Sequence, residues 1–328
     1  MPRKITIVDA LALLRSRADL RESGMSDRAI SKAVADGILK RVRHGWYITR
    51  QDWSNLWPEG KHLVHIVAVH RDTGSSGPVF CGVSAAVLHG YPLYRHTPEK
   101  VHVLVTGGRH VSSVPDVMRH EGRIAADDIV SIDGMLVTSP ARTVVDVART
   151  LGLEASVSIA DASLRAAAVS RNVQNDERAA AWREELSRQL RSAAGLRGVR
   201  NARWVMEFAD GRAQLPGESV SRLQFHRLGV RHIDLQVRVA APNGGNFWID
   251  FDLLDFDTFG EFDGKTKYTD EALRSHRTIE EVLLDEKRRE DWIRGTTGRR
   301  VIRWGDEHSA SANALRRRLR SFGLILPH

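Results

Sequence analysis

One cysteine, Cys81, is the only thiol in a chain of 328 residues. That excludes an intramolecular disulfide and any zinc site built on cysteines, and it points to a reducing, bacterial-type cytoplasm. No apolar run approaches the ~20 residues that span a bilayer. The opening Met1-Pro2-Arg3-Lys4-Ile5 likewise has no hydrophobic stretch of the signal-peptide kind. Lysine is scarce as well: eight of the 49 basic residues are Lys and the others Arg. No segment has the bias of a low-complexity tail, and a hydrophobic content of 42% is ample for packed cores. A chain of this length holds on the order of two or three domains. Its net charge of +8 favours a polyanionic partner, nucleic acid being the commonest.

The most informative stretch runs from Asp250 to Lys267 and reads DFDLLDFDTFGEFDGKTK. Side chains alternate faces along a strand, so Asp250 and Asp252 share one face with Phe251 on the other. Glu261, Asp263 and Lys265 share a face in the same way, with Phe262 pointing back. Folded as an antiparallel pair, these strands would gather several carboxylates and an ammonium at one place. Such a cluster repels itself unless a cation neutralises it, and oxygen-only ligands suit Mg²⁺. Where Arg is the default base, a Lys beside carboxylates stands out as a compact group whose pKa can shift. The chemistry that suits this pattern is metal-dependent phosphodiester cleavage. The competing reading is an exposed acidic strand face, with Glu218 favouring a helix start and pairing with Arg222.

Over about residues 213–305 the sequence resembles the PD-(D/E)XK nucleases, in the branch of the very-short-patch-repair endonucleases. Asp250 matches the first acid and Asp263-Gly264-Lys265 the acid-x-Lys. Glu261 stands where that branch often has an acid, and Glu218, after Pro216-Gly217, where a further carboxylate is common. The branch frequently has His after the Asp-Gly pair, where this chain has Lys265 and Lys267. The resemblance implies a restriction-endonuclease-like mixed sheet flanked by helices. Asp250, Glu261 and Asp263 would hold Mg²⁺, Lys265 would face the scissile phosphate or attacking water, and Glu218 would assist.

The first 57 residues carry 11 basic and 6 acidic side chains, which is most of the excess charge. Helices are expected over Ile7–Arg15, over Ala18–Glu22 and, after the cap Ser26, over Asp27–Ala35. In the last of these Ile30, Ala33 and Val34 face inward, whereas Arg28, Ser31, Lys32 and Ala35 face out. Gly37 stops it, and Ile38–Ile48 reads as a hairpin turning at His44-Gly45. Three helices and a basic hairpin make a winged helix-turn-helix. Arg28, Ser31 and Lys32 would then meet bases in the major groove of double-stranded DNA, and Lys40, Arg41 and Arg43 would meet phosphates. Gly24-Met25-Ser26 and the run from Gly37 to Tyr47 resemble the N-terminal winged helix of the AbiEi-type antitoxins of type IV toxin–antitoxin systems.

Trp53–Gly60 reads as a boundary, because Pro and Gly punctuate it. Beyond it lie an expected helix at Lys61–His70, a strand at Val101–Val105 and a helix at Thr138–Leu151. Gly107-Gly108 is too short for a phosphate loop. Ser84-Ala85-Ala86, His89-Gly90 and Thr138–Thr143 with Asp146 resemble the stretch that follows the winged helix in that antitoxin family. Ser84 and His89 lack a Gly-x-Ser-x-Gly elbow, and His62, His65, His102, His110 and His120 lack zinc spacing, so caps and packing explain them. Five Arg between 188 and 203 either touch DNA or link segments.

The expected organisation is a mixed α/β (α+β) chain with four segments. These are a winged helix at 1–57, a middle α/β domain at 58–170, a helical linker at 171–212 and a nuclease-like domain at 213–328. By resemblance its function is that of a DNA-binding transcriptional regulator opposing a nucleotidyltransferase-type toxin, with no membrane role. The alternative is a Mg²⁺-dependent endodeoxyribonuclease targeted by its winged helix, and a third reading is a nuclease fold serving as a binding surface.

Overall fold

Thr6 and Ser16 open the first two helices with reciprocal capping boxes. Each hydroxyl takes the backbone N–H of Asp9 or Asp19, whose carboxylate returns to the cap's own N–H. The computed structural model describes residues 4–73, 77–105, 114–242, 244–264 and 279–327, without the side chains at 279, 280, 282 and 283. It is a mixed α/β chain that divides into two units, Met1–Ile159 with Glu184–Met206, and Ala160–Arg183 with Glu207–His328. Lys265, Lys267, Gly107-Gly108, His110 and the expected apolar contacts of Ile279, Val282 and Leu283 lie outside the described residues.

The N-terminal unit starts with α1 (Ile7–Leu13), β1 (Arg15–Ser16), α2 (Arg17–Glu22) and α3 (Asp27–Ala35). Ser26 caps α3 through the N–H of Ala29, and Gly37, at φ 73°, follows its end. The hairpin β2 (Leu39–Arg43) and β3 (Trp46–Thr49) comes next, and β1 adds to its edge, giving the antiparallel order β1-β3-β2. Leu20, Ile30, Ala33 and Leu39 form the small core beneath, with Met25, Val34 and Tyr47 packed against it.

After α4 (Arg50–Ser54), Pro58 starts a sixteen-residue helix, α5 (Pro58–Thr73). The Pro and Gly that suggested a boundary thus sit in a helix's first turn, where a missing N–H costs nothing. Gly60 lies close enough to Ile5 that a Cβ would stand 3.2 Å from its side chain, and α1 packs on α5. A five-stranded sheet follows, built from β4 (Val79–Phe80), β5 (Val101–Val105), β6 (Val117–Glu121), β7 (Ile129–Ile132) and β8 (Met135–Thr138). Its order is β6-β5-β4-β8-β7, with β5/β6 and β4/β8 parallel. Around it lie α6 (Gly82–Leu88) and α7 (Pro140–Thr150), the latter capped by Ser139. The chain runs on through α8 (Leu153–Ala168), the two-residue strands β9 (Val169–Ser170) and β10 (Val173–Gln174), α9 (Asp176–Ser192) and α10 (Val199–Phe208).

The C-terminal unit holds α11 (Pro216–Arg227), β11 (Ile233–Ala240), β12 (Asn246–Leu253), β13 (Thr258–Phe262), α12 (Ile279–Thr297), β14 (Arg300–Trp304), α13 (Asp306–Ser309) and α14 (Ala312–Ser321). Its sheet, β11-β12-β13-β14, is antiparallel except for the parallel pair β13/β14. One face packs Phe251, Leu253, Phe262, Ile302 and Trp304 against Phe225 of α11 and Leu315 and Leu319 of α14. The other packs Ile249, Phe259 and Val301 against Ile293 of α12. Two glycines make room on the first face: a Cβ on Gly217 would stand 2.0 Å from the Phe262 ring, and one on Gly260 2.4 Å from Trp304. Asp161 and Arg222 lock this unit internally through two 2.9 Å contacts, the carboxylate being 1% exposed.

Candidate functional sites

The outer face of α3 presents Arg28, Ser31 and Lys32, all exposed, as the helical spacing requires. Ser31 also borders a groove of about 460 Å³ between α3 and the hairpin. Ile30, Val34 and Leu39 form its floor, and Lys40, Arg41, Tyr47 and Arg50 complete its lining. The ammonium of Lys40 stands 6.0 Å from the ring centre of Trp53. Sequence reasoning missed Tyr47 and Arg50 as members of this surface. The signal was available, because Tyr47 pairs with Arg41 across the hairpin and Arg50 directly follows β3.

Arg43 is placed differently from its expected role. Its Nε lies 3.2 Å from Asp72 and 3.2 Å from Asp116, and the side chain is only 17% exposed. Trp46, on the far side of the turn, donates its indole N–H to Asp72 at 2.6 Å, while His65 contacts Asp116 at 3.4 Å. The tip of the hairpin is therefore fastened to the end of α5 and to the approach to β6. A guanidinium facing two carboxylates has little charge left for a phosphate.

In the middle of the chain, Ser84 pairs with His62 rather than His89. His62 Nε2 lies 2.9 Å from Ser84 Oγ, which also accepts the N–H of His102. Both side chains are buried, and burial, ahead of neighbouring histidines, pushes His62 down to about 3. His102, pushed down to about 4 mainly by burial, meets His120 at 3.1 Å. His89 binds the carbonyl of Thr138 at 2.8 Å. A hydroxyl with 0% exposure cannot meet a substrate, so this network is packing.

The acidic residues of the C-terminal unit fall into two hydrogen-bonded groups. In the first, Gln236 joins Glu218 and Asp250: its amide donates to Asp250 at 3.2 Å and to Glu218 at 3.4 Å. Glu218, 2% exposed, also accepts the N–H of Gln214 at 2.8 Å. Gln236 has φ 52° and stands opposite Asp250, and there the apolar side of both strands changes face. That irregularity lets the Asp250 carboxylate take the N–H of Phe262 at 2.9 Å. Asp252 is engaged elsewhere by Arg299, so simple alternation misleads at this point.

In the second group, Glu261 sits between two guanidinium groups, Arg289 at 2.7 Å and Arg303 at 3.0 Å. Arg303 also meets Asp263 at 3.2 Å, Glu290 at 3.1 Å and, more closely, Glu286. Burial pushes the Glu261 carboxyl up, the two guanidinium groups oppose that, and the charge of Asp250 adds to it. The carboxylates expected around Mg²⁺ thus have oxygens already bound by N–H donors. Among the described residues no group of three or more His, Cys, Asp or Glu side chains is placed to hold a metal ion. As arranged, these residues do not fit the ion.

Residues 78–207 match the family model of the AbiEi antitoxin C-terminal domain. Two Mycobacterium tuberculosis proteins, uncharacterized protein MT2308 of strain CDC 1551 / Oshkosh and uncharacterized protein Rv2248 of strain ATCC 25618 / H37Rv, are each 28% identical over 265 residues, spanning 80% of this chain and 85% of their own. The crystal structure of the RV2827C protein from the same organism aligns over 74% of this chain and 91% of its own, at 15% identity and a TM-score of 0.34. The likeness to the AbiEi antitoxins is carried by residues 78–207.

Proposed function

We propose that this protein is a DNA-binding regulator of the toxin–antitoxin kind, which represses its own promoter and opposes a nucleotidyltransferase-type toxin. The observation that carries the DNA reading is the groove shared by α3 and the hairpin, with Ser31, Lys40, Arg41 and Arg50 around it. Three helices, with β1 between the first two and the hairpin β2–β3 after the third, support a winged-helix reading, in which the last helix enters the major groove. Arg28, Ser31 and Lys32 face base edges. Lys40, Arg41 and Arg50 carry the phosphate contacts, and Arg43 belongs to the framework. The antitoxin reading rests on the family match over residues 78–207.

The test is binding of the full chain to the DNA upstream of its own reading frame, followed by fluorescence anisotropy. Arg28→Ala should cost about 1–3 kcal/mol at the specific site and little on unrelated duplex. An Arg28→Ala, Lys32→Ala double variant that binds the promoter as tightly as the parent refutes the assignment. Co-expression with a nucleotidyltransferase-type toxin encoded beside its own reading frame tests the second half: the absence of such a toxin, or failure to restore growth, removes the antitoxin role and leaves the repressor role standing. For the C-terminal unit, a mixed sheet with helices on both faces supports a nuclease-like fold used as a binding module.

A further inference from the structure

The registers of β13 and β14 bring one acid and one base face to face. Glu261 pairs with Arg303 in the parallel ladder, so both side chains leave the sheet on the same side. From α12, packed over that side through Ile293, come Arg289 and the acids Glu286 and Glu290. The result is a lattice with four carboxylates (Glu261, Asp263, Glu286, Glu290) and two guanidinium groups (Arg289, Arg303), with Arg294 added at 2.6 Å from Glu290. Arg289 also donates to the carbonyl of Trp248 at 2.7 Å, which ties the lattice to β12. Glu261 is 5% exposed at its side chain.

What a divalent cation would supply to Glu261, arginine supplies. The four carboxylates need positive charge, and Arg289, Arg303 and Arg294 provide three of the four charges. They need donors in a fixed geometry, and the planar fork offers several. An ion approaching Glu261 would meet those positive charges at contact distance. We infer that Arg303 and Arg289 stand in place of a divalent cation in this carboxylate cluster, so that the C-terminal unit holds its Glu261–Asp263 corner together without metal. The inference is independent of the DNA reading of residues 1–57, and neither depends on the other's success.

A shift in thermal midpoint reports metal binding to the folded state by mass action, whatever the activity. The experiment melts the full chain in EDTA, in millimolar Mg²⁺ and in millimolar Mn²⁺. The parent should melt at the same temperature in all three. Arg303→Gln leaves Glu261 and Asp263 short of positive charge, so it should melt lower in EDTA and recover part of the loss in Mn²⁺. Arg303→Lys, which keeps a cation, should show no metal response. Arg289→Gln provides a second uncovered cluster should Arg303→Gln fail to fold. Metal-dependent stabilisation of the parent that disappears in Glu261→Gln overturns the inference. So does metal-dependent nicking of supercoiled plasmid lost in the same variant, or the absence of any metal response from both glutamine variants.

Discussion

Replacing Arg43 with Gln separates two roles that the same side chain can play on a DNA-binding hairpin. In this structure its Nε faces Asp72 and Asp116, each at 3.2 Å, with 17% of the side chain exposed. Nε makes no hydrogen bond to either carboxylate, so the contact is an ion pair, and with Asp72 and Asp116 36% and 26% exposed it contributes about 0.5–1 kcal/mol. For a unit of this size each kcal/mol moves the melting midpoint by about 2–4 °C, which gives a drop of about 1–4 °C. The same variant should leave the salt dependence of DNA binding unchanged. Each phosphate contact adds about 0.9 to the slope of log K against log salt, or about 3.5-fold in affinity between 50 and 200 mM. Arg41→Gln should therefore flatten the slope by about one contact with little effect on stability. The assays are differential scanning fluorimetry and anisotropy titrations over a salt series. An Arg43→Gln protein with the parent's midpoint and a slope flattened by one contact would falsify the assignment of Arg43 to the framework.

Acid should destabilise the N-terminal unit through its buried histidines. His62 is held near 3 against an ordinary value of 6.5, so the unfolded chain takes up a proton that the folded one refuses. That contribution is whole above pH 6.5 and is lost as pH falls toward 3, at up to about 1.4 kcal/mol per pH unit. His62→Gln should shallow the urea-derived stability profile over that window, and an unchanged profile refutes the attribution. Asp161→Asn leaves Arg222 buried without its counter-charge and should cost about 3–5 kcal/mol in chemical denaturation; a loss below 1 kcal/mol speaks against a sheltered pair. Gly217→Ala forces a methyl group into the Phe262 ring and should cost about 1–3 kcal/mol or more, read as a lowered midpoint, and Gly260→Ala should do the same at Trp304. Parent-like melting of both would contradict the close approach.

Local sequence signals read well wherever the structure is local. The helix Asp27–Ala35 follows from Ser26, Gly37 and the spacing of Ile30, Ala33 and Val34, and the hairpin turn at His44-Gly45 lies where its glycine predicts. The strand β1 escaped notice because two residues, Arg15 and Ser16, carry no periodicity. The fate of Arg43 was not legible either, since Asp72 and Asp116 lie far along the chain and nothing local marks them as partners. The acidic strands illustrate both outcomes. Glu261 and Asp263 do share a neighbour, Arg303, but that neighbour comes from β14, beyond α12, and alternation alone says nothing of it. Asp250 parts from Asp252 because Gln236 adopts a left-handed conformation that no residue pattern announces.

The order in which the two units share the chain has a consequence for synthesis on the ribosome. The N-terminal unit is complete only once Glu184–Met206 has emerged, because Arg188 and Gln189 must reach Asp128, and Asn201 must reach the carbonyl of Ala148. By then Ala160–Arg183 is already exposed, carrying Asp161, whose partner Arg222 is made 61 residues later. A nascent chain paused or broken in that interval displays an unmatched acid and the apolar faces of Leu164 and Trp182. Quality-control proteases recognise such surfaces, so premature termination within this window should yield rapid clearance rather than a free-standing N-terminal fragment.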